Sequence, residues 1–240
     1  MNPSIILYCN MKFFRLNNSS VVNEVGFFPQ VFDAVLNFNI YDKNSAYHLN
    51  FAEANDQTLW PIAKLSTKAK KTDLVSVSFM SLSNKLLISK KMFLIIANSS
   101  HSSIQLVKSK LITRGKEEDY WIINPLESKI SCLDIHNSSF AYLQSIGSNT
   151  KTQLKCNNLE EVDNAFVKNK DDAKSGNLAN HKPLIIDTVS IKEDCDDDFF
   201  ALSTVCFGGI GFFVSEKLKN EIQEAGCTGI VFTEPNERYP

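Results

Sequence analysis

The densest cluster of reactive side chains is EDCDDDFF, where Glu193, Asp194, Asp196, Asp197 and Asp198 stand in one run. A loop for a hard cation needs carboxylates at alternating positions, a glycine for the turn and a distal glutamate. That pattern is absent, so the run reads as a solvated acidic loop suited to a basic partner rather than as a metal site. CFGGIG (206–211) places its glycines ahead of a strand, whereas a phosphate-cradling loop follows a strand and opens a helix. A hairpin turn is expected there. His48, His101, His136 and His181 show no metal-ligand spacing. Cys9, Cys132, Cys156, Cys195, Cys206 and Cys227 contain no C-x-x-C pair and read as scattered free thiols. Cys132, Asp134 and His136 crowd one short stretch, and a small enzyme would be built on them. Apart from that alternative, no catalytic residue, metal or cofactor is expected.

The elements that must position these groups are clearest near the C-terminus, in GIGFFVSEKLKNEIQEAGCTGIVF. GFFV has the composition of a buried strand. Ser215 stands at a helix N-cap, where its oxygen accepts from an unpaired backbone N–H of the first turn. Glu216 follows at the positive end of the helix dipole. Leu218, Ile222 and Ala225 recur at helical spacing and predict one narrow apolar stripe, with Lys217 and the remaining residues facing water. Gly226 suits a left-handed C-terminal cap, and Gly229 opens a last strand, IVF. Ser89 repeats the capping role before KKMFLII, so both serines have structural rather than nucleophilic explanations. LLISKKMFLIIANSSHSSIQLV (86–107) and FFVSEKLKNEIQEAGCTGIVF (212–232) share this layout, which suggests an internal strand-helix-strand duplication.

Upstream, KFFRL predicts a strand, and the aromatics of NEVGFFPQVFDAVLNFNIY are expected to anchor a core. Apolar runs of four to eight residues between 61 and 150 predict strands, with a helix after Ser89. Trp60 and the pair Tyr120-Trp121 are expected as core anchors. The stretch 147–182 is polar and reads as a surface excursion, carrying a short helix at LEEVDNAFVKN. The tail TEPNERYP is expected to be loose. The result is an α+β fold with a mixed sheet and a few packed helices. A ten-residue extension (1–10) precedes a single domain (11–240), whose halves 11–146 and 183–240 are joined by the excursion. Met11 is a candidate natural start.

With 25 basic and 27 acidic residues in 240, the chain has no electrostatic footprint for nucleic acid or an anionic membrane. No apolar run reaches the roughly 20 residues of a membrane span. The N-terminus lacks a signal-peptide pattern, and with the thiol reading this points to a cytoplasmic protein.

DDDFFALSTVCFGGIGFFVSEKLKNEIQEAGCTGIVF resembles the C-terminal signature of immunity proteins from bacterial polymorphic toxin systems. The matching residues are Asp198, Phe199, Phe200, Val214, Ser215, Glu216, Lys217, Leu218, Ala225, Gly226, Thr228, Gly229 and Phe232. YWIINPLESKISCLDIHNSSF is similar to the family's central segment, with Asp134 and Ser138 or Ser139 at its polar positions, and NKLLISKK resembles its first Ser-Glu-Lys element. This resemblance implies a protein that neutralises a cognate toxin by stoichiometric binding and performs no chemistry of its own. The expected contacts are Asp194, Asp196 and Asp197 in the acidic loop and Glu160, Glu161, Asp163, Asp171 and Asp172 in the excursion. Acidic patches suit a basic toxin, because complementary charge speeds association. A non-catalytic adaptor is the remaining alternative.

Overall fold

A computed structural model describes residues 11–145, 148–174, 181–205 and 209–237. The N-terminal extension and Cys206–Gly208 of the glycine turn lie outside them. The strands fall into two mixed sheets, so the α+β expectation holds. The first sheet, in spatial order, is β13 (Ile230–Thr233), β1 (Phe13–Asn18), β12 (Gly209–Ser215), β11 (Phe199–Val205), β10 (Leu184–Thr188), β8 (Ser139–Leu143) and β9 (Lys151–Leu154). The second is β2 (Val31–Val35), β3 (Ile62–Leu65), β6 (Ile104–Thr113), β7 (Lys116–Pro125), β5 (Leu86–Ser89) and β4 (Leu74–Val75). The helices are α1 (Val22–Val25), α2 (Lys90–Ala97), α3 (Leu159–Lys174) and α4 (Glu216–Glu224). No helix among the described residues is long and apolar enough to cross a membrane.

The continuous apolar runs arise because the central strands are buried on both faces, with alternate side chains entering different cores. In β12, Phe212 and Val214 join a core shared by the two sheets, while Phe213 enters another beneath α3. In β5, Leu86 and Ile88 join the same shared core and Leu87 enters a third. Tyr120 and Trp121 are buried as expected.

The duplication extends beyond the strand-helix-strand unit. The order β4-β5-β7-β6 in one sheet matches β11-β12-β1-β13 in the other. Leu74 faces Ile88 and Ile88 faces Trp121; Phe199 faces Val214 and Val214 faces Phe14. The central strand comes from different places in the chain, because β7 follows β6 directly whereas β1 lies far ahead of β11, β12 and β13 in sequence. Met92, Ile96, Leu218 and Ile222 from α2 and α4 meet in the shared core.

Several expectations are corrected. Phe27, Phe28, Phe32 and Tyr41 are exposed rather than core, because β2 is an edge strand and the following segment lies at the surface. Ala225 is exposed at the C-cap, so the α4 stripe reduces to Leu218 and Ile222. The excursion contains β9, and its helix runs the 16 residues of α3, with Val162 buried beneath it. The tail is anchored as far as Asn236, whose side chain accepts from Val189 N–H at 2.6 Å and donates to Val189 O at 2.9 Å. Cys132 and Cys195, both buried, form a disulfide, while Cys156 and Cys227 are free.

Candidate functional site

Both capping serines accept from the third helical N–H: Ser89 from Met92 at 3.3 Å and Ser215 from Leu218 at 3.2 Å. Each hydroxyl donates to an aspartate one strand away, Ser89 to Asp73 and Ser215 to Asp198, both at 2.6 Å. Each aspartate also reaches the turn after the opposite helix. Asp73 accepts from the N–H (2.9 Å) and hydroxyl (3.1 Å) of Thr228, and Asp198 accepts from the Ser100 hydroxyl at 3.2 Å. Lys91 lies 3.0 Å from Asp73, and Lys217 lies 3.6 Å from Asp198. Burial pushes both carboxyls up, but these hydrogen bonds and lysines outweigh it and hold them below the usual range. The signature residues therefore form a reciprocal clasp between the two halves. Gly226 (φ 62°) caps α4, and its carbonyl accepts from Lys91 Nζ at 2.8 Å. Gly229 (φ 80°) donates its N–H to Glu24 at 2.6 Å. The Glu216 N–H reaches the Lys12 carbonyl at 2.7 Å, and Leu218 is buried.

The acidic run is divided by burial. Asp194 and Asp196 are exposed, but Asp197 is only 3% exposed, which corrects its assignment to a contact surface. It accepts from the N–H and hydroxyl of Ser102, both at 2.8 Å, and faces Lys129 Nζ at 3.4 Å.

In α3 all five expected contact residues are exposed, yet they do different work. Glu161 is committed to the helix start: its carboxylate accepts from Asn157 N–H at 2.8 Å, while its own N–H donates to the Asn158 side chain at 2.9 Å. Asp171 lies 3.8 Å from Lys174, and Asp172 is its neighbour at the C-terminal end. Glu160 and Asp163 instead join Glu127 along a groove of about 600 Å³, walled by Leu126, Ile130 and Leu159. The short helical turn Ile130–Cys132 ties this groove to the acidic loop, since Ile130 lines the groove and Cys132 is bonded to Cys195. Through Phe51, Ser128, Phe166 and Ser203 the groove adjoins a larger cavity of about 800 Å³ bordered by Arg15, Lys85 and Lys170.

The trio Cys132, Asp134 and His136 does not assemble a nucleophile with its base. The Cys132 sulfur is bonded to Cys195. Asp134 closes a turn by accepting from the Asn137 side chain and from the N–H groups of His136 and Asn137, which hold its carboxyl low. His136 is exposed.

Sequence reasoning missed Asp73, Glu127, Lys85 and the disulfide. Asp73 had a signal: DLVSVS (73–78) matches DFFALS (198–203) in its Asp, apolar pair and closing Ser. The others are joined by long-range pairing that carries no local pattern. Neither a protein-family model nor a curated protein matches this chain.

Proposed function

We propose that the chain is an immunity protein of the polymorphic-toxin kind, acting by stoichiometric binding of a basic toxin and without catalysis. The observation that carries this reading is the groove beneath α3, where Glu127, Glu160 and Asp163 surround an apolar floor. A desolvated apolar anchor supplies affinity, and a charged rim supplies rate and selectivity. The C-terminal resemblance supports the family, and the two-helix clasp is a rigid frame that leaves the groove free to vary. The same reading accounts for Ser89, Ser215, Cys132 and Asp134, whose polar groups are engaged in caps, a disulfide and a turn.

The test is co-expression with the toxin encoded beside this chain, scoring survival and co-purification. Rescue with a stable one-to-one complex is expected, and Glu160→Lys combined with Asp163→Lys should weaken binding on the order of a hundredfold while leaving thermal unfolding unchanged. A folded chain that neither binds nor rescues would sink the proposal. A rescuing complex indifferent to the double substitution would overturn the groove as the contact surface while keeping the toxin as the partner.

A further inference from the structure

The cavity of about 800 Å³ lies where the first residues of the equivalent strands β5 and β12 approach each other. Its size is within the range of small-molecule sites, which favour the junction of two structural halves. Its charge is one-sided. Lys85 and Lys170 line it and no carboxylate among the described residues does, although acidic residues outnumber basic ones in the chain. Lys85 is 6% exposed, with its ammonium held by Leu49 O at 2.9 Å, Asn84 Oδ1 at 2.9 Å and Ala46 O at 3.5 Å. A lysine buried without a carboxylate is costly, and such groups gather at functional sites.

Backbone strain gathers here as well. Three non-glycine residues among those described have a left-handed φ. Arg114 belongs to the β6–β7 hairpin beside Gly115; the other two, Phe51 (52°) and Thr204 (52°), both line the cavity. Strain of this kind persists where the surrounding structure enforces it, commonly at ligand sites. Asn18 and Thr204 each bury a side-chain oxygen without a hydrogen-bond partner among the described residues, and both border the cavity. The remaining wall combines Phe51, Phe166 and Phe212 with Asn17, Asn50 and Asn84.

We propose that this cavity binds a nucleoside phosphate, its flat base against the phenylalanines, its hydrogen-bonding edges on the asparagine amides and its phosphate toward Lys170 and Lys85. Aromatic faces stack bases without regard to sequence, amides match their donor and acceptor edges, and buried cations favour an anion in a low-dielectric site. The site adjoins the acidic groove, sharing Phe51, Ser128, Phe166 and Ser203 with it, and its binding is measured on the chain alone, without toxin.

The test is calorimetric titration of the full chain with AMP, GMP, CMP and UMP, alongside adenosine and inorganic phosphate. At least one monophosphate should bind on the order of tenfold more tightly than adenosine and than phosphate alone, as expected when base and anion both contribute. Lys85→Met should reduce that affinity on the order of tenfold, and Lys170→Glu, an exposed reversal at the cavity wall, should reduce it severalfold with unchanged thermal unfolding. If Lys85→Met fails to fold, Lys170→Glu and the adenosine comparison decide. The proposal is overturned if no monophosphate binds the folded chain, if adenosine binds as tightly as AMP, or if affinity ignores the lysine substitutions.

Discussion

Ser215 shows how much one hydroxyl can hold. It accepts from Leu218 N–H and donates to Asp198, so its loss removes a cap and leaves a half-buried carboxylate short of a donor. A lost cap alone costs about 1 kcal/mol. Ser215→Ala should therefore cost more than that, about 2 to 3 kcal/mol. In a double-mutant cycle with Asp198→Ala in urea melts, the two substitutions should prove non-additive, and strict additivity would show that the bond contributes nothing. The cap itself was legible, because a serine between an apolar strand and an amphipathic helix has one obvious role. Its aspartate partner was not, because Asp198 was read as part of a uniform acidic loop. Burial distinguishes Asp197 and Asp198 from Asp194 and Asp196, and that depends on Ser100, Ser102 and Lys129, all distant in sequence.

At the scale of elements, the turn between α4 and β13 fits against the second sheet. A Cβ on Gly229 would strike the Leu74 carbonyl and the Thr72 side chain, and the backbone there has φ 80°. The neighbours are backbone and a buried threonine, so they cannot yield easily. Gly229→Ala should destabilise by about 2 kcal/mol or more through strain and the clash together. Gly226→Ala, at φ 62° with open space around its Cβ, should cost about 1 kcal/mol. Chemical denaturation of both variants checks this order, and a reversal would mean that the turn does not seat as described. Both glycines were visible in the sequence as punctuation, but only the fold shows that one is confined and the other open. Element types were legible wherever period and caps agreed, as in α2 and α4. The length of α3 was not, since its exposed half lacks apolar periodicity and the helix is secured by the Asn158–Glu161 cap and by Val162.

Across the whole molecule, ionisation should set stability at both ends of the pH range. Asp73 and Asp198 are held below their ordinary carboxyl values, so the stability they contribute is complete above about pH 4 and disappears as pH falls through the lowered folded values. Burial pushes Lys85 down to about 8 from 10.5, so the folded state releases its proton first, and stability should rise between those values. The rise is at most about 3 kcal/mol, and the carbonyl acceptors reduce it by favouring the ammonium. Urea midpoints at pH 7, 9 and 10 should climb for the parent chain and stay flat for Lys85→Met. A flat parent profile would mean that the ammonium is well solvated. None of this was readable from a formal charge of −2, which averages over clasp, groove and cavity.

The borrowed central strand has a consequence for how the chain is made. In one half, β5, β6 and β7 leave the ribosome in succession, so that half can assemble while synthesis continues. In the other, β1 emerges well before β12 and β13, the strands with which it pairs. Its apolar residues Phe13, Phe14 and Leu16 must wait unpaired until β12 and β13 are made, during which they are a natural target for holding chaperones. The second half therefore closes only once β12 and β13 are made, and the clasp that joins the halves cannot form before then.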